Sequence, residues 1–211
     1  MKTHRSFKSI LVLAITLLLL VPFLGVAHSQ GVAHDQPPGE TISPKLSRLI
    51  AGVREATAGY RDFDTIGDAS YGKFLDCFVN YQIGGMGQHY VNNDLAGDDV
   101  LDPMKPEVLV YEPTETGDMI LVALEYLVFA SQWDPSNTGR AAPVLFDQPF
   151  HLETDIPDTP PVWALHLWLW TDNPEGLFAD YNPLVFCPAN QPITDMTPRT
   201  SSRRDNMFGG R

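Results

Sequence analysis

Positive charge, cysteine and the glycine-rich signatures of nucleotide enzymes are scarce or missing in this chain. Of its 211 residues only 14 are Lys or Arg, against 26 Asp or Glu, for a formal charge of −12. Phosphate binding needs clustered cations, so nucleic acid and an anionic membrane surface are excluded as partners. The two cysteines, Cys77 and Cys187, form neither a CxxC pair nor a Cys/His cluster, which removes a structural zinc knuckle. There is no Gly-x-Ser-x-Gly elbow, P-loop, HExxH, Rossmann fingerprint or EF-hand loop, so serine-hydrolase, nucleotide and zincin chemistries lose their support. After the N-terminal segment no apolar run is long enough to cross a bilayer, and no internal repeat is present.

What is present begins with an address. Lys2, Arg5 and Lys8 form a basic segment, Ile10 to Leu24 is almost wholly apolar, and Ala27-His28-Ser29 supplies the small residues a signal peptidase reads. The apolar stretch, roughly 15 residues, is shorter than the roughly 20 of a spanning helix. Residues 1–29 are therefore expected to be a signal peptide cleaved after Ser29. The remaining chain of roughly 182 residues carries 11 basic and 26 acidic residues and is expected to be secreted or periplasmic, with no membrane attachment. In an oxidising compartment Cys77 and Cys187 are expected to pair. A loop of about 110 residues closed that way is worth about 4–5 kcal/mol on the chain-entropy model.

Residues 30–43, with Pro37-Pro38-Gly39, read as a flexible leader, residues 44–188 as one globular domain, and residues 189–211, polar from Pro188 onward, as a disordered tail. Ser43 is a good N-cap and Pro44 a good first helical residue, while Leu46, Leu49, Ile50, Val53 and Ala56 recur at helical spacing up to Gly59. Beyond that helix the period becomes two. Phe78–Ile83, Gln88–Asn92, Glu107–Tyr111, Met119–Ala130 and Val162–Trp170 read as strands, the third and fourth joined as a hairpin, with Trp133 to Pro161 a long proline-rich connection. The expected fold class is α+β, an N-terminal amphipathic helix packed on an antiparallel β-sheet or partly closed β-barrel.

Chemistry concentrates where polar residues interrupt apolar strands. In Met119–Ala130, alternation puts Leu121, Ala123, Glu125, Leu127 and Phe129 on one face and Val122, Leu124, Tyr126 and Val128 on the other. A carboxylate among such neighbours must be paired, metal-bound or protonated. His166 repeats the anomaly, sharing a face with Ala164, Trp168 and Trp170. His89 follows the glycines of Gly84-Gly-Met-Gly-Gln-His89, which suit a bulge or a close backbone approach. His89, Glu125 and His166 together would make a two-histidine, one-carboxylate site for one divalent transition metal, Fe, Zn, Cu or Mn. His151 is either a fourth ligand or an ordinary loop histidine.

Around such an ion Asn92 and Tyr126 would be substrate or supporting contacts, and Trp163, Trp168 and Trp170 with Phe129 supply aromatic surface for an apolar or sugar-binding pocket, or for plain core. Asp172 to Pro183, with two Asn-Pro steps, reads as a structured closing loop ending near Cys187. Gly-Met-Gly-Gln-His89-Tyr-Val-Asn92, Pro106-Glu-Val-Leu-Val-Tyr-Glu-Pro113, Leu124-Glu125-Tyr-Leu-Val and Leu165-His-Leu-Trp-Leu-Trp with Asn173-Pro resemble blocks of a group of uncharacterised secreted bacterial proteins. The resemblance runs over roughly Val53 to Cys187 and implies no particular activity. Three readings follow for the polar group: a metal site, enzymatic or not; a metal-free extracellular pocket for a small molecule; or a structural network of satisfied buried groups.

Overall fold

The computed structural model describes residues 42–198; the expected signal peptide (1–29), residues 30–41 of the expected leader and residues 199–211 lie outside the described residues. The chain opens with helix α1 (Pro44–Thr57), whose first turn is held by the Ser43 hydroxyl accepting from the Leu46 amide at 3.1 Å. Apolar residues at three- and four-residue spacing give it one buried edge, Leu46 and Val53.

Strands then follow as β1 (Tyr71–Asn80) and β2 (Gly84–Asn92), a short helix α2 (Asn93–Ala96), β3 (Val108–Pro113) and β4 (Met119–Phe129). After a short helix α3 (Ala130–Trp133) come β5 (Val144–Leu145), β6 (Gln148–Pro149), β7 (His151–Glu153), β8 (Val162–Leu167) and β9 (Ile193–Asp195). Seven of them build one curled sheet in the order β7-β8-β4-β3-β2-β1-β9, antiparallel throughout except for the parallel β1–β9 pair. The architecture is thus α+β, a half-barrel with few helices.

Three expectations need correction. The first strand covers Tyr71–Asn80, not Phe78–Ile83, because the Asn80 side chain accepts from the Gln82 amide and turns Tyr81–Ile83 into the link to β2. The connection from Trp133 to Pro161 is not bare loop: it contains the β5–β6 hairpin and β7, which pairs with β8. The stretch after Pro188 does not leave the fold at once. The Cys77–Cys187 disulfide delivers it to β1, where Thr194 accepts from the Asp76 amide and donates to its carbonyl, and Ile193–Asp195 adds a parallel edge strand.

A bulge in β4 decides which residues share a face. Val110 pairs with Ala123 but Tyr111 pairs with Leu121, leaving Val122 as the extra residue. Leu121 therefore joins Leu124 and Tyr126 in one apolar cluster, while Val122 and Ala123 lie in the other with Val108, Val110 and Trp168. Simple alternation had placed Leu121 with Glu125. Trp170 likewise falls in the cluster opposite Trp168, since β8 ends at Leu167 and strict alternation ends with it.

Candidate metal centre

Each of the three polar residues comes from a different strand. Glu125 of β4 lies directly across from His166 of β8. His89 of β2 is separated from Glu125 by the whole of β3, with Val110 as its partner and Val108 as Glu125's. Two strand spacings put those backbones about 10 Å apart. The side chains nevertheless meet, with His89 Nε2 3.6 Å from Glu125 Oε2 and His166 Nε2 3.9 Å from Glu125 Oε1. The curl of the sheet brings them together over the short side chains of Val108 and Val110.

The hydrogen bonds fix what faces inward. His89 Nδ1 lies 3.2 Å from the Gly87 carbonyl, which can only accept, so the ring proton is on Nδ1 and a lone pair is on Nε2. Holding one ring nitrogen by a backbone carbonyl and freeing the other is how proteins orient a metal-binding imidazole. His166 is buried and neither ring nitrogen finds a hydrogen-bond partner among the described residues. An unpaired buried polar atom costs about 1–3 kcal/mol. The ring of Trp168 stacks along His166 at 6.1 Å and donates its own N–H to the Ala179 carbonyl. Phe78 packs edge-on to His89 at 4.6 Å.

Burial sets the protonation. It lowers His89 to about 4, the Gly87 hydrogen bond opposing it in part, and lowers His166 to about 3, with the neighbouring His89 and His151 adding to the effect. Burial raises Glu125 to about 8, helped by the charges of Glu153, Asp180 and Glu107. Near neutral pH both imidazoles are neutral, so the two close contacts are not ion pairs despite their distances. They are neutral ring nitrogens turned toward a carboxyl group, beyond hydrogen-bonding range.

The donor set fits a cation. One nitrogen or oxygen from each of His89, Glu125 and His166 lies within 4.8 Å of the others. Ligands held about 2.0–2.2 Å from a tetrahedral ion stand about 3.3–3.6 Å apart, so inward movement of less than about 1 Å closes the set. Neutral imidazole and carboxylate are the donors that divalent transition metals prefer, and three protein ligands leave coordination positions open.

His89, Glu125 and His166 line one side of a cavity of about 100 Å³, walled also by Phe74, Phe78, Met86, Leu127, Phe129 and Val162. Two sequence expectations fail here, both for reasons of parity. Tyr126 is next to Glu125 and so points to the opposite face, where its hydroxyl donates to the Pro103 carbonyl. Asn92 is three residues from His89 and also faces away, accepting from the Asp94 and Leu95 amides as the cap of α2. Trp168 supports His166 but does not wall the cavity. His151 is no fourth ligand: it is exposed on β7 with Nδ1 3.0 Å from Asp180. Sequence reasoning missed Glu107, fully buried on the far face, although its place at the head of the apolar run Val108-Leu109-Val110 was a visible signal.

Gly87 tests the arrangement. Its φ of +104° and the 2.6 Å between a would-be Cβ and the Tyr111 carbonyl oxygen exclude a side chain, and its own carbonyl orients His89. Gly87→Ala is expected to destabilise the fold by about 1–3 kcal/mol and to weaken metal binding. Urea denaturation and metal titration would check this, and an unchanged midpoint with unchanged affinity would show that the backbone there relaxes freely.

No family model matches the chain, and no curated protein or solved structure is similar to it.

Proposed function

We propose that this protein is an exported metalloprotein that holds one divalent transition metal through His89, Glu125 and His166. The observation that carries the reading is the convergence of three buried donor atoms within 4.8 Å, one of them on a histidine with no other partner. A bound ion would supply a Lewis-acid centre with open positions facing the apolar cavity, the arrangement a metal-dependent enzyme needs. Export is supported by the Cys77–Cys187 disulfide and by the N-terminal segment of the sequence. Among the described residues no helix is long and apolar enough to cross a membrane. We read α1 as packing on the face of the sheet opposite the metal group, since Leu46 and Val53 share an apolar cluster with Leu109, Tyr111, Leu124 and Tyr126.

Elemental analysis of the exported protein without a histidine tag is expected to find about one metal per chain. The His89→Ala/His166→Ala and Glu125→Gln variants are expected to lose it while keeping the wild-type far-ultraviolet circular dichroism. Metal absent from the wild type, with none rebound at neutral pH, would end the proposal. The cavity itself favours a second reading, a metal-free pocket for a small molecule. Ligand-induced melting shifts that survive chelation would select it.

A further inference from the structure

The walls of the cavity narrow what can bind there. Among the described residues, the polar ones lining it apart from His89, Glu125 and His166 are Asn93, Glu153 and Thr159, with no lysine or arginine. In the metal-free protein a carboxylate, phosphate or sulfonate would thus enter a largely apolar space with no cationic side chain to meet it and with the carboxyl group of Glu153 in its lining. A sugar would bring several hydroxyls to walls that offer hydrogen bonds at only a few points. The volume of about 100 Å³ is a further limit. A dry apolar cavity of roughly 150 Å³ admits benzene, so this one takes an occupant no larger than roughly one ring.

His89, Glu125 and His166 meet at one wall. Phe74, Phe78, Met86, Leu127, Phe129 and Val162 surround the space with carbon and sulfur, whereas the unpartnered nitrogens of His166 and the lone pair of His89 converge beside Glu125. A molecule lying in the cavity can satisfy that wall with a single atom.

We propose that the cavity takes a small uncharged apolar molecule carrying one oxygen, a phenol or a cyclic ketone or alcohol, with that oxygen directed at the His89–Glu125–His166 group. The assignment rests on the metal reading for the identity of the oxygen's partner, the ion held by these three side chains. The aromatic residues that the sequence offered for a sugar pocket are not its walls, with the exception of Phe129.

Two methionines give a local readout. Met86 and Met196 line the cavity, while Met104 and Met119 do not. The exported protein, labelled with ¹³C at the methionine methyl groups, would be titrated with phenol, benzene, glucose and acetate. Each titration would be run zinc-loaded and after chelation, with metal content measured in parallel. Phenol and benzene are expected to shift Met86 and Met196 saturably and leave Met104 and Met119 unmoved, glucose is expected to move none in either state, and acetate is expected to move none after chelation. Phenol is expected to bind about tenfold or more tightly than benzene to the loaded protein, a preference that shrinks to within about threefold after chelation. If zinc is bound but neither phenol nor benzene moves Met86 or Met196, the substrate class is overturned and the metal reading stands. If no metal binds and phenol is still preferred in a way that Glu125→Gln abolishes, the metal reading falls and the substrate class stands, with the side chains themselves as the oxygen's partner. Equal binding of phenol and benzene in both states would overturn the directed oxygen.

Discussion

Replacing both cysteines, as Cys77→Ala/Cys187→Ala, is expected to lower the stability of the protein by about 3–5 kcal/mol. The bridge spans a sequence separation of 110 residues. Closing a loop of that length removes about 5 kcal/mol of conformational freedom from the unfolded chain on the entropy model. The folded state also loses local order. Cys77 is buried between Phe74 and Phe78, the β1 residues that pair with His89 and Gly87, and the Cys187 side carries the chain into β9. Urea denaturation should show an earlier midpoint and a steeper dependence on denaturant, because the uncrosslinked unfolded chain exposes more surface. An unchanged midpoint after full reduction of the wild type would show that the bridge contributes nothing. The loss should extend to the proposed metal site, since Phe78 packs against the His89 ring.

The second large effect is a fall in stability with rising pH, centred on Glu107. Its side chain is fully buried, with Oε2 accepting from the Leu127 amide at 3.2 Å and Oε1 without a hydrogen-bond partner among the described residues. Burial raises the carboxyl to about 8, the Leu127 hydrogen bond opposing the shift and the charges of Asp98 and Asp102 adding to it. In the unfolded chain the same group releases its proton near its ordinary value of about 4.3. Between those two values the folded state binds more protons at this group, so the stability that Glu107 contributes is greatest below about 4.3 and is lost as pH rises to about 8. A shift of that size corresponds to roughly 4–5 kcal/mol. Glu125, raised to about 8 in the same way, steepens the fall in metal-free protein.

Glu107→Gln keeps an oxygen to accept from Leu127 and stays neutral at every pH. With chelator present, its stability is expected to fall about half as much as the wild type's between about pH 7 and pH 8.5, a range in which His89 and His166 are neutral folded and largely neutral unfolded. At the upper end the variant should be the more stable protein by a few kcal/mol. Chemical denaturation at a series of pH values checks this. Parallel curves for the two proteins would mean that Glu107 already ionises in the folded state.

The period-two runs around Glu125 and His166 were legible because alternation is a local property. Each residue was visibly a polar side chain on an apolar strand, and the structure makes the two direct partners across β4 and β8. The hairpin of β3 and β4 was legible for the same reason, as was the start of α1, where Ser43 and Pro44 act through their own backbone neighbours. Strand ends and faces were less so. The bulge at Val122 exchanges the faces of Leu121 and Val122, and nothing in a run of six apolar residues marks where an extra residue will be accommodated. Tyr126 and Asn92 were assigned to the site by nearness in sequence, which in a strand is the wrong measure, since neighbours one or three apart point to opposite faces.

The sequence by itself determined the acidity, the choice of cysteine partner once a disulfide forms, and the presence of three polar residues on apolar strand segments. All of these follow from composition or from contacts within a few residues. Only the tertiary structure decided that the three residues meet, since His89 and Glu125 are held on strands with another strand between them and are brought within 3.6 Å by the curl of the sheet. It also decided that the group opens on an apolar cavity and that residues 193–195 close the sheet edge. Sheet curl and edge pairing arise from the summed twist and packing of all the strands, and no short window of sequence contains that sum.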